Sequence, residues 1–528
     1  MKVPYIFFKN SVKNLNSVEE LSEIFFQLGH EHTIEEDIFN FELTPNRGDC
    51  LSFYGLLRDL NSIHTSNHEP MIYKEDINNL NLDFTNLATK DCSKITFLKI
   101  ELYDRPNVPT YQNYLESFFT LLGNKKINFF TDISNYISYE LGQPTHCYDN
   151  SKINNEITLQ RSKKNINFKS LLGDEIKLSD SELIFTTDGE AINLAGIMGG
   201  ESTMCSKDTQ SVLIECAFFN PESIIGKSIK YDLKSDAAHK FERGVDTASQ
   251  EKVLRRFISI VKDHTSIKSL KYKTFSSKDK IEKYLPIETD KINQILGTKL
   301  TRQEYINCLT KLDFEIKDEI KVPSFRHDIS SQNDLSEEIA RIKGYDCIKS
   351  IPFKLKQSFK LGQNKISRVE DFLVNNGFSE VINFPFTSDD NEKSLTIDNP
   401  LDSNRKSLRI SLKDSLIENL LYNERRQKDL IKLFEVSDVY LNEGKIRQQK
   451  KLGIIVSGRF GHNYREFSKK LDKNYLNEIL NLKHGVSIFK IEEVPRDNLK
   501  TKKKEKIFYA EILIEDIPDT FLGTSELE

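Results

Sequence analysis

AGIMGGESTMCSKDTQSVLIECAFFNPESIIGKSIKYDLKSDAAHKFERGVD, residues 195–246, is the stretch that decides how the rest of the chain is read. Gly196, Gly199 and Gly200 fall where a backbone can approach a ligand closely or take positive φ. Within the apolar run VLIECAFF, Glu215 is a carboxylate that costs free energy unless something pairs with it. A purely structural reading gives it an arginine partner such as Arg243. Ser235-Asp236-Ala237-Ala238-His239 then sets hydroxyl, carboxylate and imidazole beside two very small residues. Polar groups around open space read as a pocket.

Composition bounds what such a pocket can belong to. A chain of 528 residues has room for three or more domains with ample core. Charged residues make up 29% and the net charge is −5, which excludes a generally basic nucleic-acid coat protein. Any RNA contact has to come from local patches. Seven cysteines without CxxC or CxxH pairs argue against a zinc site and suit reduced thiols in a cytosolic protein. No signal-peptide pattern opens the chain, and no apolar run approaches the roughly 18 residues of a membrane span. The expectation is a soluble, cytoplasmic, multidomain protein.

Upstream of the deciding stretch, Ser17-Val18-Glu19-Glu20 reads as a capping box ahead of a helix ended by Gly29. FNFELTPNRGDCLSFYGLLRDLNSI reads strand, turn, helix, with Asp49 as the expected N-cap. YLESFFTLLG has helical spacing, and beyond it β-branched and aromatic residues lead to the breaker Gly142–Pro144. Downstream, Thr247 to Gln250 reads as a further capping box. Val253, Leu254, Phe257, Ile258 and Val261 form a core-packing stripe. The polar passage from Lys273 to Lys283 reads as a linker.

GIMGGES, VLIECAFFNPESI and SDAAHKFERGVD resemble the editing domain of the β subunits of bacterial phenylalanine–tRNA ligases, and TPNRGDCLS and LGQPTHCYD are similar to further strings of that family. The resemblance covers nearly the whole chain from Glu19 onward. It implies an α+β multidomain fold. Residues 1–85 would form an N-terminal α/β domain and 86–270 a central editing (B3/B4-like) domain. A small helical, DNA-binding-like, magnesium-binding (B5-like) domain would span 285–355. A class II synthetase-like antiparallel core would occupy 360–528. That core lacks the FRxE and GxGxxR motifs that grip ATP, so adenylation would belong to a separate α subunit. The family usually places an oligonucleotide-binding module between the first helix and the strand at Phe39. Here His30 to Glu36 leave no room for one. A ferredoxin-like anticodon-contacting module is likewise expected to be missing after EILIEDIPDTFLG.

The resemblance also implies the chemistry. A site shaped for phenylalanine rejects tyrosine only weakly, so a second, hydrolytic site that demands the hydroxyl is needed. Phenylalanine would leave that site's polar groups unpaired, at roughly 1–3 kcal/mol each. Glu215 and His146 are the expected phenol-recognising pair. Gly199 and Ala237 would leave space for the ring, and Ser235 would place a hydroxyl near the ester. Ser134 stands where the family usually has Thr, and Lys125 where it has Arg, which keeps the charge and loses the planar fork. Without a convincing Ser–His–Asp set, an oriented water is the expected nucleophile, helped by the substrate's ribose hydroxyl. Asp328, Asp334, Glu337 and Glu338 match the family's Mg²⁺ ligands, shared there with the partner subunit. A helix N-cap (Asp334) with its capping-box partner (Glu337) explains two of them otherwise.

The expected role is therefore the non-adenylating β subunit of an α₂β₂ ligase. The α subunit would use ATP to charge tRNA(Phe), and this chain would build the interface, place Mg²⁺ and hydrolyse mischarged Tyr-tRNA(Phe). The alternatives are a non-editing structural partner and a free-standing deacylase of mischarged tRNA. Leu416, Leu420 and Leu421 are readable either as core or as an α-subunit interface. The basic run LKTKKKEKIF reads as a solvated loop or an RNA contact.

Overall fold

A computed structural model describes the chain apart from residues 65–68, 107, 155, 278–281, 351, 353–363, 389–392, 461–468, 482–489, 498, 500, 502 and 519–528. The architecture is mixed α/β with several separate sheets, divided into two compact units, Met1–Pro352 and Phe353–Glu528. Among the described residues no helix is long and apolar enough to cross a membrane.

A five-stranded sheet lies at the centre of the first unit. Its order is Asn78–Asn79, Ile267–Ser276, Lys94–Leu102, Ser211–Phe218, His146–Asp149, antiparallel except for the first pairing. Most of VLIECAFF is the Ser211–Phe218 strand, hydrogen-bonded on both sides. Burial on both faces is why it reads as one apolar run without alternation. Successive side chains point to opposite faces. Val212, Ile214 and Cys216 enter a core shared with the helices Phe129–Leu141 and Gln250–His264. Leu213 and Ala217 enter another, closed by a second five-stranded sheet. That sheet runs Met198–Gly199, Glu190–Leu194, Leu183–Thr187, Glu156–Arg161, Asp83–Asn86. The result is a helix–sheet–sheet stack.

The Phe129–Leu141 helix occupies the segment read as β-branched and aromatic. Asn128 caps it by accepting from the Thr131 amide, and Gly142 ends it at φ 78°. Phe130, Ile133 and Ile137 recur at helical spacing and are buried, so the tertiary face decides the conformation. The stripe Val253, Leu254, Phe257, Ile258 and Val261 is buried in the same core.

Several expected caps sit elsewhere. Ser52, not Asp49, caps the Phe53–Leu60 helix by accepting from the Gly55 amide, because Asp49 is committed to Arg47 and Arg58. Ser17 accepts from the Glu20 amide, but Glu20 returns its carboxylate to Asn16, which leaves half a capping box. Ser249 precedes the Gln250–His264 helix without a side-chain cap. The Ile267–Ser276 strand runs into the passage read as a linker, since its residues pair along Lys94–Leu102. Residues 31–36 form the strand Glu31–Glu35 and the first residue of a hairpin turn, with Glu36 at φ 48° and Asp37 at φ 64°.

The segment from Leu285 is not purely helical. Three helices, Thr289–Leu296, Arg302–Thr310 and Gln332–Lys343, accompany a three-stranded sheet of Lys283–Leu285, Ile320–Val322 and Glu315–Ile316. Thr301 and Glu304 form a capping box that closes in both directions. At Gln332–Lys343 the N-cap is Ser331, and Asp334 is its reciprocal partner. Glu337 lies one turn too far into the helix for the part it was expected to take.

The second unit holds a sheet in the order Ser379–Glu380, Leu430–Asn442, Ile446–Gly458, Ile507–Leu513, Ile491–Val494, antiparallel apart from its first pairing. The segment FSEVINFPF, residues 378–386, holds the short strand Ser379–Glu380 and ends in the short strand Phe386–Thr387. Leu416 and Leu420 lie fully inside a core of this unit, so packing accounts for them without a partner. Parts of the basic run and the end of EILIEDIPDTFLG lie outside the described residues.

Candidate functional site

Pairing of the Ser211–Phe218 and His146–Asp149 strands sets Glu215 directly opposite His146. The two side chains therefore share the sheet face that looks toward the second sheet. Tyr148, two residues on, is on the same face, and its ring lies edge-on to the His146 ring with centroids 4.4 Å apart. Glu215 is 4% exposed, and its Oε2 accepts from the Tyr148 hydroxyl at 2.7 Å and from Asn193 Nδ2 at 3.3 Å. Burial pushes its carboxyl up to about 7, although both hydrogen bonds pull the other way. Burial pushes the His146 imidazole down to about 4, so it is neutral at physiological pH. His146 Nε2 is buried without a hydrogen-bond partner.

Arg243 is not the partner of Glu215, because its guanidinium lies against His239 Nε2 on its own helix. Tyr148 and Asn193 take that part, and the sequence reading missed both. Tyr148 was recoverable, since position i+2 from His146 shares its face. Asn193 carried a weaker signal as an amide inside the apolar strand EAINL.

Gly199 does not hold open space for a ring. A Cβ there would lie 2.2 Å from His146 Cε1 and 2.8 Å from Leu171 Cδ1, so the room is filled by the imidazole and Leu171. The missing side chain is what lets His146 sit where it does.

Three other expected residues, Lys125, Ser134 and Ala237, line a cleft of about 540 Å³. The helix Phe129–Leu141 forms one wall and Asp236–Arg243 another. Ser134 Oγ donates to the Thr145 carbonyl at 2.7 Å, and Pro144 and Thr145 bring the lining up to the residue next to His146. Ser235 joins the two groups. Its hydroxyl accepts from the Ala238 amide as N-cap and donates to the Ile197 carbonyl at 2.5 Å, two residues from Gly199. The expected residues thus fall into a sheet set (His146, Glu215, Gly199) and a cleft set (Lys125, Ser134, Ala237), with Ser235 between.

The acids at 328–338 do not gather into a chelate. Arg326 forks onto both Asp328 (2.9 Å) and Glu338 (2.7 Å), while Arg341 also holds Glu338. Asp334 Oδ2 accepts from the Ser330 and Ser331 amides at 2.7 and 2.8 Å. Burial would raise the Glu338 carboxyl, but the two guanidinium groups outweigh it and hold it down to about 2. At Asp328 and Glu338 a divalent cation would have to displace an arginine, so these two as arranged do not fit Mg²⁺. Among the described residues one His/Cys/Asp/Glu cluster has ligand atoms within 4.8 Å of one another: His30, Cys50 and Asp59. Arg47 and Arg341 already pair with Asp59 at 3.0 and 2.8 Å, which supplies the positive charge a metal would bring.

Comparison with known proteins gives these elements a common context. Residues 104–266 match the B3/4 domain, 285–345 the tRNA synthetase B5 domain, and 353–501 the phenylalanyl tRNA synthetase beta chain CLM domain. The chain belongs to the family of phenylalanine–tRNA ligase beta subunits. It is 30% identical over 480 residues to the phenylalanine–tRNA ligase beta subunit of Fusobacterium nucleatum, covering 83% of this chain and 58% of that one. With the beta subunit of Photorhabdus laumondii it shares 28% over 450 residues, 80% of this chain and 56% of the relative. With that of Pseudoalteromonas translucida it shares 27% over 517 residues, 90% and 63% respectively. The chain therefore spans less than two thirds of the length of these beta subunits.

Proposed function

We propose that the chain acts as the beta subunit of a phenylalanine–tRNA ligase, paired with an α subunit that charges tRNA(Phe) in an ATP-dependent reaction, and that its B3/4 region hydrolyses mischarged Tyr-tRNA(Phe). The observation that carries the editing role is the unpartnered buried Nε2 of His146, set by strand register opposite the carboxylate of Glu215. An orphaned buried polar atom calls for a ligand or water. A tyrosine hydroxyl can bond both groups, whereas the bare ring of phenylalanine leaves them unsatisfied at roughly 1–3 kcal/mol each. Both bonds that Glu215 already accepts fall on Oε2, which leaves Oε1 for the substrate phenol. Neutral His146 can donate or accept according to tautomer.

The cleft lined by Ser134, Thr145 and Ala237 would admit the aminoacyl end. A water held there would attack the ester carbonyl, and the ribose oxygen would leave with a proton. Selection rests on this chain's side chains, and the attacking group is solvent. Cytoplasmic location and an α₂β₂ assembly complete the proposal. No step is assigned to a metal at Asp328, Asp334, Glu337 or Glu338.

The test is deacylation of Tyr-tRNA(Phe) by the complex co-expressed with its α subunit. Glu215→Ala and His146→Ala should each reduce it by about tenfold or more and leave phenylalanine charging intact. Unchanged deacylation in both variants defeats the assignment. One observation favours a second reading, a scaffold without editing. Glu215 is already bonded to Tyr148, and neither it nor His146 lines the cleft wall. A complex that charges normally but never deacylates Tyr-tRNA selects that reading. A folded chain that deacylates yet never associates with an α subunit selects the free-standing hydrolase.

A further inference from the structure

The chain carries a net charge of −5, yet its cleft in the first unit is lined by three lysines, Lys2, Lys125 and Lys240, against one carboxylate, Asp236. Lys2 and Lys125 are exposed. Lys240 sits on the Asp236–Arg243 helix and is half-buried, with its ammonium donating to the Ser138 carbonyl on the opposite wall. Among the described residues no carboxylate forms an ion pair with it. Keeping a partly buried cation without a counter-charge is unfavourable. Burial pushes Lys240 down to about 8, with Asp236 opposing only in part. It remains largely charged at neutral pH, and an anion entering the cleft would relieve the imbalance. Low-dielectric walls carrying one sign of charge concentrate the field inside such a cleft.

We propose that Lys240, assisted by Lys125, receives a phosphodiester oxygen of the tRNA 3′ end, so that the ester it carries lies toward Thr145 and His146. This rests on the editing role proposed above and adds the contact that holds the nucleotide. Lys240 is suited to it because its stem is fixed by the helix and its ammonium by one carbonyl, leaving two donors for phosphate oxygens. The contact is with the backbone, so it positions the strand without reading its bases.

The test is filter binding of a 5′-labelled CCA trinucleotide to the full chain over a salt series, with adenosine, which has no phosphate, as the second ligand. Lys240→Met and Lys125→Met should each weaken trinucleotide binding about three- to tenfold and flatten the log–log salt slope by roughly 0.7. Lys240→Arg should stay within about twofold of wild type, and adenosine binding should be unaffected. An unchanged salt slope in both Met variants overturns the proposal. So does an equal loss for adenosine, which would make Lys240 only a clip between the two walls. The exposed Lys125→Met keeps the test open if Lys240→Met fails to fold. Hydrolysis of Tyr-tRNA is scored separately. A chain that binds the trinucleotide with the full slope but leaves Tyr-tRNA intact overturns the editing role alone and leaves the phosphate contact standing.

Discussion

Glu215 is a buried acid whose folded state holds on to its proton. Its carboxyl moves from an ordinary 4.5 to about 7, so between those values the unfolded chain has released a proton that the native protein keeps. Stability therefore falls as pH rises through this window, by about 1.4 kcal/mol per unit and on the order of 3 kcal/mol in all, and levels off above pH 7. Glu215→Gln keeps the shape and removes the titration. Thermal unfolding at pH 5 and pH 8 should show wild type losing stability over this interval relative to the variant. Parallel behaviour of the two proteins would mean that the carboxyl is not desolvated. Glu338 works with the opposite sign. Held down to about 2 by Arg326 and Arg341, it contributes stability that is present above about pH 4.5 and lost as the pH falls toward 2. Glu338→Gln should therefore blunt acid unfolding, at the expense of stability at neutral pH.

At the scale of elements, the Met198–Gly199 strand and the His146–Asp149 strand meet through a missing side chain. Gly199→Ala would put a methyl 2.2 Å from His146 Cε1, and the ring, not the backbone, would have to give way. Overpacking of this kind costs about 1–3 kcal/mol. The variant should melt lower and lose Tyr-tRNA deacylation while phenylalanine charging persists. Retained deacylation would show that the imidazole's position is immaterial. These contacts also mark where sequence stops being legible. The apolar run VLIECAFF announced a buried segment, because eight residues with one charge can only be satisfied between two layers. Period two places Tyr148 beside His146, a step the sequence reading did not take. Asn193 was harder to place, since it arrives from the other sheet and its local sign is only an amide inside the apolar strand EAINL. Caps slipped by a few positions wherever serine and aspartate compete for the same amides, as at Ser52 and Ser331. The acids at 328–338 lie equally close in sequence to Arg326 and Arg341, which take up Asp328 and Glu338. Opposite charges at that range pair with each other before they hold a cation.

Across the molecule, the same arginines join segments far apart in sequence. Asp59, 2% exposed, receives His30 at 2.8 Å, Arg47 at 3.0 Å and Arg341 at 2.8 Å, so residues 30–59 are tied to the helix Gln332–Lys343. Removing one member of such a buried set leaves guanidinium groups without a counter-charge, a loss of about 3–5 kcal/mol. Asp59→Asn should lower hydrogen-exchange protection in peptides from residues 1–60 and 285–345. The paired strands Leu430–Asn442 and Ile446–Gly458 should be unchanged, because they belong to the other compact unit. Protection lost uniformly over both units would contradict that division. The hairpin at Glu36 and Asp37 has its own consequence. Two exposed left-handed residues close a ladder whose register is set by Phe39 and Phe41 on the buried side. A foreign domain with adjacent termini could be spliced in at this tip, and the host strands would still zip together beneath it. Evolution can lengthen or shorten the chain there without renegotiating the interior.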